Sequence, residues 1–281
     1  MLLQSFTSVV ATDTSSALGL FQETAPPAER YKISTGSNGA GAIAVSPDGI
    51  HGWLNATKNL AAETHARWDT PKNVVWDPVR KEWIMYLRAQ PTEGGLRIQS
   101  YSHSLTTEFM GDWSPATPTG LNTSHDYQPD GLVVWPYEGI YIGIGNVFNT
   151  VDQVAASGAV IGQVNMVLGW SADGRRWKWL RPNDSIIPLG AEGEFDTCGV
   201  FGAKQDPLRT TVNDTMRLYY AGCSAQLPTP PRLPLPVSSC MTPSLGHFGA
   251  QTVLSSAPAA AASAWPPSSV TALPATKAAP S

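Results

Sequence analysis

Three stretches of the chain can be laid over one another, and this internal repeat limits the fold more than any other feature. The first is Trp68-Asp69-Thr-Pro-Lys-Asn-Val-Val-Trp76, a turn at Asp77-Pro78, then Trp83-Ile-Met-Tyr-Leu87. The second is His125-Asp126-Tyr-Gln-Pro129, Leu132-Val-Val-Trp135, a turn from Pro136 to Gly139, then Ile140-Tyr-Ile-Gly-Ile144. The third is Phe195-Asp196-Thr-Cys-Gly-Val-Phe201, a longer turn, then Met216-Arg-Leu-Tyr-Tyr220. Each reads aromatic or His, Asp, strand, turn, strand. The aspartates recur at intervals of 57 (69 to 126) and 70 (126 to 196) residues. Such a period is too long for one hairpin and suits a unit of four strands.

A second hairpin repeats between these stretches: Ala42-Ile-Ala-Val-Ser46-Pro-Asp48-Gly49 leading to Trp53, Leu96 to Ser102 leading to Asp112-Trp113, and Val164 to Ser171-Ala-Asp173-Gly174 leading to Trp177. Asp bonds its own backbone and Gly takes positive φ, so the Ser-x-Asp-Gly step supplies turn chemistry rather than a reactive group. Two alternating hairpins give a four-stranded unit, and units arranged radially bury both faces against their neighbours. The fold class expected is all-β, with no amphipathic helical window.

Composition narrows the function classes. Charged residues make up 14% and the net charge is -4, with no basic block, which argues against an electrostatic nucleic-acid binder. Cys198, Cys223 and Cys240 show no C-x-x-C spacing, so neither a disulfide scaffold nor a structural zinc site is expected. No stretch reaches the roughly 18 to 20 apolar residues of a membrane helix. N-x-[ST] sequons occur at Asn55, Asn122, Asn183 and Asn213, but Met1 to Ala11 lacks a basic start before its apolar run; the cellular location stays open. From Cys223 to Ser281 there is no Asp or Glu, and Pro-rich and Ala-rich runs follow one another. That composition predicts a disordered tail over 223–281, an unstructured N-terminus over 1–17 and a body over 18–222.

Glu29-Arg-Tyr-Lys32, Ser46-Pro-Asp-Gly-Ile-His51, Asp69-Thr-Pro-Lys-Asn-Val-Val-Trp-Asp77-Pro78, Ile187-Pro-Leu-Gly-Ala-Glu-Gly-Glu-Phe-Asp196 and Leu218-Tyr-Tyr-Ala-Gly222, in this order, resemble the five-bladed β-propeller glycoside hydrolase superfamily, in particular family 32 and family 43 N-terminal domains. The resemblance covers about 18–222. It implies a polar funnel at the ring axis with carboxylates at the starts of innermost strands. Those positions hold Asp69, Asp126 and the Glu194/Asp196 pair, the candidate catalytic set. Glycosidic cleavage needs an acid for the leaving oxygen and a negative charge facing an oxocarbenium-like centre, which two carboxylates in unlike environments provide. If 194 and 196 lie on a strand, both side chains share one face. His65 and His125 flank the same entrances and Trp68 and Tyr127 offer rings to a sugar, so these four are the candidate substrate-binding residues. A carbohydrate is the expected partner, and no cofactor or metal is expected.

The chain also departs from that pattern. Counting from Arg30, it supplies the outer part of a first blade, two whole blades and the inner half of a fourth, about three to three and a half blades and an incomplete ring. A catalytic Asp on a first inner strand is missing unless Glu23 substitutes, so weak or no hydrolysis is expected. Two other readings compete: a glycan-binding propeller or fragment without catalysis, and a sialidase-like propeller. The latter ranks last because the inner-strand starts offer only Arg67 to a substrate carboxylate.

Overall fold

The computed structural model describes residues 18–22, 25–37, 40–55, 60–67, 73–89, 96–121, 123–124, 127–149, 163–191, 194–197, 199–201, 208–210, 215–223 and 248–255. These residues build antiparallel meanders with little helix. The first consists of β1 (Leu18–Phe21), β2 (Tyr31–Ser37), β3 (Ala40–Ser46) and β4 (Leu54–Asn55), hydrogen-bonded in chain order. A short helix, α1 (Leu60–Thr64), leads to the second: β5 (Ala66–Arg67), β6 (Asn73–Asp77), β7 (Glu82–Ala89), β8 (Gln99–His103) and β9 (Thr117–Pro118). Both β5 and β6 pair with β7. The third comprises β10 (Tyr127–Tyr137), β11 (Ile140–Asn149), β12 (Gln163–Ser171) and β13 (Lys178–Trp179). In the fourth, β14 (Gly199–Phe201) and β15 (Leu208–Thr210) pair with β16 (Thr215–Cys223), which pairs in turn with β17 (Phe248–Ser255). One parallel pair, Val164 with Gly199, joins the third and fourth meanders.

The strand β7 shows why the run Trp83-Ile-Met-Tyr-Leu87 is apolar without alternation. Trp83, Met85 and Leu87 point to one face and pack with Ile43 and Val45 of the first meander. Ile84 and Tyr86 point to the other and pack with Leu132, Val134 and Trp177 of the third. A strand buried on both faces has no solvent side to mark with polar residues. The next junction repeats the arrangement: Trp135, Ile144 and Met166 of the third meander meet Val200, Leu218 and Tyr220 of the fourth. The meanders therefore stack face to face in series, with a core at each junction.

The Ser-x-Asp-Gly steps are turns. Asp173 Oδ1 accepts the backbone N–H of Arg175 (2.9 Å) and Arg176 (2.8 Å) and the Ser171 hydroxyl (3.0 Å). Asp48 Oδ1 accepts the N–H of Ile50 and His51 in the same way. Gly174, at φ +71°, closes the turn against the second meander, where its carbonyl accepts the Tyr86 hydroxyl at 2.5 Å. Trp177 then packs edge-on against Tyr86, with centroids 5.5 Å apart. The turn thus docks one meander on the one before it.

The all-β, antiparallel expectation is met; two details differ. The first meander has all four strands, where the sequence pattern points to its outer part alone, because the run Leu18-Gly-Leu-Phe21 is long enough to pair with Tyr31–Ser34. Within 223–281, Cys223 ends β16 and Phe248–Ser255 pairs along β16 from Thr215 to Ala221, so these eight residues are not structureless. A short Gln-Thr-Val-Leu run of β-prone residues can complete an existing edge even where the surrounding composition is poor in apolar residues. The other residues of that segment, and 1–17, lie outside the described residues.

Candidate functional site

The registers gather one set of strand ends. Tyr127 opposes Asn149, Asn149 opposes Gln163, Val164 opposes Gly199, and Gly199 opposes Cys223. The starts of β10, β12 and β14 therefore lie together with the ends of β11 and β16. Asp69 with Trp68, and Asp126 with His125, precede the first long strands of the second and third meanders in sequence; all four lie outside the described residues. His65 is exposed at φ +53°, just before β5.

Asp196 and Glu194 sit in a turn ahead of β14, not on a strand, so the shared-face argument for the pair does not hold. The turn is closed by Glu194 N–H donating to Ala191 O (3.0 Å) and Gly190 N–H donating to Asp196 O (3.3 Å). Asp196 is 5% exposed. The Tyr220 hydroxyl donates to its Oδ2 at 2.7 Å, while Oδ1 is buried without a hydrogen-bond partner among the described residues. Burial first, then the bond to Asp196 and its charge, push the Tyr220 phenol well above its ordinary value. The carboxylate fits because two glycines yield to it: a Cβ on Gly190 would stand 2.0 Å from Oδ1, and one on Gly222 2.5 Å from the Asp196 Cβ. A buried carboxylate oxygen with no donor is costly unless something else supplies one. Oδ1 lies packed against Gly190, with no donor among the described residues.

Tyr127, a candidate from sequence, opens β10 half-buried, its ring edge-on to Trp179 at 6.1 Å. Its hydroxyl is buried with no hydrogen-bond partner among the described residues, and burial raises its pKa strongly. Three residues further along β10 stands a charged group that sequence reasoning missed. Asp130 Oδ1 accepts from Arg88 Nη1 at 2.7 Å and from Arg97 Nε at 3.0 Å. Arg88 lies near the end of β7, Arg97 precedes β8, and the Arg97 guanidinium lies 4.4 Å over the Phe148 ring. Asp130 is the extra residue of a bulge, since Pro129 opposes Val147 and Gly131 opposes Asn146. The legible signal was Pro129-Asp-Gly131 inside a strand, since Pro and Gly in strand interiors mark bulges and bulges re-aim side chains. The arginines themselves carried none, being distant in sequence.

No protein-family model and no curated protein matches the chain. Solved structures do. A thermostable family-43 glycoside hydrolase is similar with a TM-score of 0.50 at 14% identity, over 74% of this chain and 64% of that one. The chain shares the all-β fold of that structure. Two further similar structures are an N-acetylgalactosamine deacetylase from F. plautii in complex with blood group B trisaccharide (TM-score 0.48, 14% identity, 73% of this chain and 62% of that one) and a second glycoside hydrolase (0.46, 13%, 73% and 65%). The chain spans 62 to 65% of the length of these three.

Proposed function

We propose that the protein acts on carbohydrate at the strand-start end of its stacked meanders, each meander serving as one propeller blade. Asp196 is the ligand-facing carboxylate of the fourth blade, oriented by Tyr220. Asp69 and Asp126, at the corresponding places in sequence, supply the other carboxylates of a glycoside hydrolase, with Glu194 beside Asp196; His65, Trp68, His125 and Tyr127 contact the sugar. The observation that carries the reading is the buried Asp196 in the turn ahead of β14, whose Oδ1 has no hydrogen-bond partner among the described residues. One protonated and one ionised carboxyl suffice for general-acid cleavage with charge stabilisation. The similar family-43 structure is a glycoside hydrolase, which fits such a role.

The test is a panel of arabino-, xylo-, manno- and fructo-oligosaccharides, followed by calorimetric binding and by reducing-end release. Binding or cleavage of at least one, weakened by Asp196→Asn with the fold intact, is the expected result. Binding that persists unchanged in Asp196→Asn removes the site assignment. Binding without cleavage in every case favours the non-catalytic glycan-binding reading.

A further inference from the structure

We propose that the turns at 77–81 and 171–178 form one docking surface for an anionic lipid layer, at the end of the third meander opposite its strand starts. Three contacts join the two turns across the junction of the second and third meanders. Arg80 Nη1 donates to Asp173 O at 3.1 Å, Arg175 Nη2 donates to Glu82 Oε1, and the Tyr86 hydroxyl donates to Gly174 O. The two turns therefore present a continuous surface although 93 residues separate Arg80 from Asp173.

Charge and exposure select what this surface meets. Over 77–82 and 171–178 the chain carries five cations, Arg80, Lys81, Arg175, Arg176 and Lys178, against three carboxylates, in a protein of net charge -4. All three carboxylates are engaged within the turns. The Asp77 side chain is fully buried, accepting the N–H groups of Val79 and Arg80 and the Arg80 guanidinium at 2.8 Å. Asp173 Oδ1 accepts the N–H groups of Arg175 and Arg176, and Glu82 pairs with Arg175. Lys81, Arg176 and Lys178 are exposed, and their side chains pair with none of the three. At the tip of the first turn Val79 is 84% exposed. An exposed aliphatic side chain among cations suits anionic headgroups: the apolar group enters the layer while Lys and Arg stay at its charged face. The opposing charge is Glu138, exposed on the β10–β11 turn, which the pairing of Tyr141 with Ser171 brings to the same end of the third meander.

The backbone argues for a lipid layer over an acidic peptide. An extended peptide docks by pairing with an open strand edge. These turns offer it no such ladder, since Asp77 and Asp173 already hold the N–H groups of residues 79, 80, 175 and 176. Side-chain charge and one apolar tip, carried on two protruding turns, match a broad charged plane instead. Orientation fits as well. The nine residues of β12 run from Gln163, beside the starts of β10 and β14, to Ser171, and span roughly 30 Å. A layer against the turns leaves the strand-start end facing away from it.

The experiment is co-sedimentation of the full chain with vesicles of phosphatidylcholine, alone and with about one third phosphatidylserine, at low ionic strength and in about 0.5 M salt. Binding is expected to the serine-lipid vesicles alone and to weaken with salt. Lys81→Gln combined with Arg176→Gln lowers the partition coefficient about 25-fold, about fivefold for each charge, and Glu138→Gln raises it about fivefold. Val79→Ser lowers it severalfold and leaves the salt dependence as it was. All four positions are exposed, so the thermal midpoints of the variants stay with that of the parent. Equal binding to both vesicles, no binding to either, or a partition coefficient that neither the double variant nor Glu138→Gln changes overturns the proposal. Binding to soluble polyglutamate with none to vesicles also overturns it and makes the surface one for an acidic protein.

Discussion

Asp196 is the carboxylate on which the proposed site rests, and its close packing against Gly190, Gly222 and Tyr220 makes it sensitive to small changes. Tyr220→Phe would leave both carboxylate oxygens without a protein donor. A loss of about 1–3 kcal/mol is expected from chemical denaturation, the cost of a buried group left unsatisfied. A Tyr220→Phe protein as stable as the parent would mean that water reaches Asp196 and that the pair does not orient it. Gly190→Ala probes the same carboxylate from the other side. Its Cβ would stand 2.0 Å from Oδ1 and 2.9 Å from the Glu194 Cβ, so the turn must move, at about 1–3 kcal/mol for overpacking. Ligand binding should fall with it. At this scale the sequence was partly legible: the Phe195-Asp196 pair and the Leu218 to Gly222 run were visible as motifs, but that Tyr220 reaches Asp196 follows from a fold that brings residues 24 apart into a bond.

The elements that the sequence announced most clearly are the turns whose chemistry is local. Ser171, Asp173 and Gly174 need nothing beyond six residues to close, and the same pattern closes Ser46 to His51. Burial works to raise the Asp173 carboxyl, but the N–H groups of Arg176 and Arg175 and the Ser171 hydroxyl outweigh it and hold it below the usual carboxylate range. Asp173→Ala should therefore cost about 1.5–3 kcal/mol, as for lost bonds to a charged group, and loosen the Tyr86 to Gly174 contact between meanders. Asp173→Asn, which keeps one acceptor, should cost less. Equal losses in the two variants would show that charge rather than geometry sets the turn. What stayed hidden at this scale has non-local causes. The strand β17 is specified by the open edge of β16, and the bulge at Asp130 by the arginines of another meander.

At the scale of the whole molecule, stacking sheets face to face turns strand interiors into junctions, and the junctions are where tyrosines are trapped. Tyr86, Tyr127 and Tyr220 are pushed well above the ordinary phenol value, burial being the leading cause in each, and Tyr141 is pushed up to about 12 by burial and by the charge of Asp77. All four stay protonated in the fold at a pH where they ionise in the unfolded chain. Their contribution is intact below about 10, the unfolded value, and drains away as pH rises toward the raised values. Lys32 pulls the other way. Buried against the Trp83 and Phe109 rings, it is depressed by burial, partly offset by Glu29, so it favours folding as pH climbs toward its unfolded value. With four groups against one, the thermal midpoint should hold to about pH 9 and then fall steeply, in step with tyrosinate absorbance. Tyr86→Phe should make that fall shallower while lowering the midpoint at neutral pH, because it removes both an ionisable group and the 2.5 Å bond that locks the second meander to the third. A midpoint that stays level to about pH 12, or tyrosines that titrate before any loss of structure, would mean that the junctions admit solvent and that the meanders are not held by their cores.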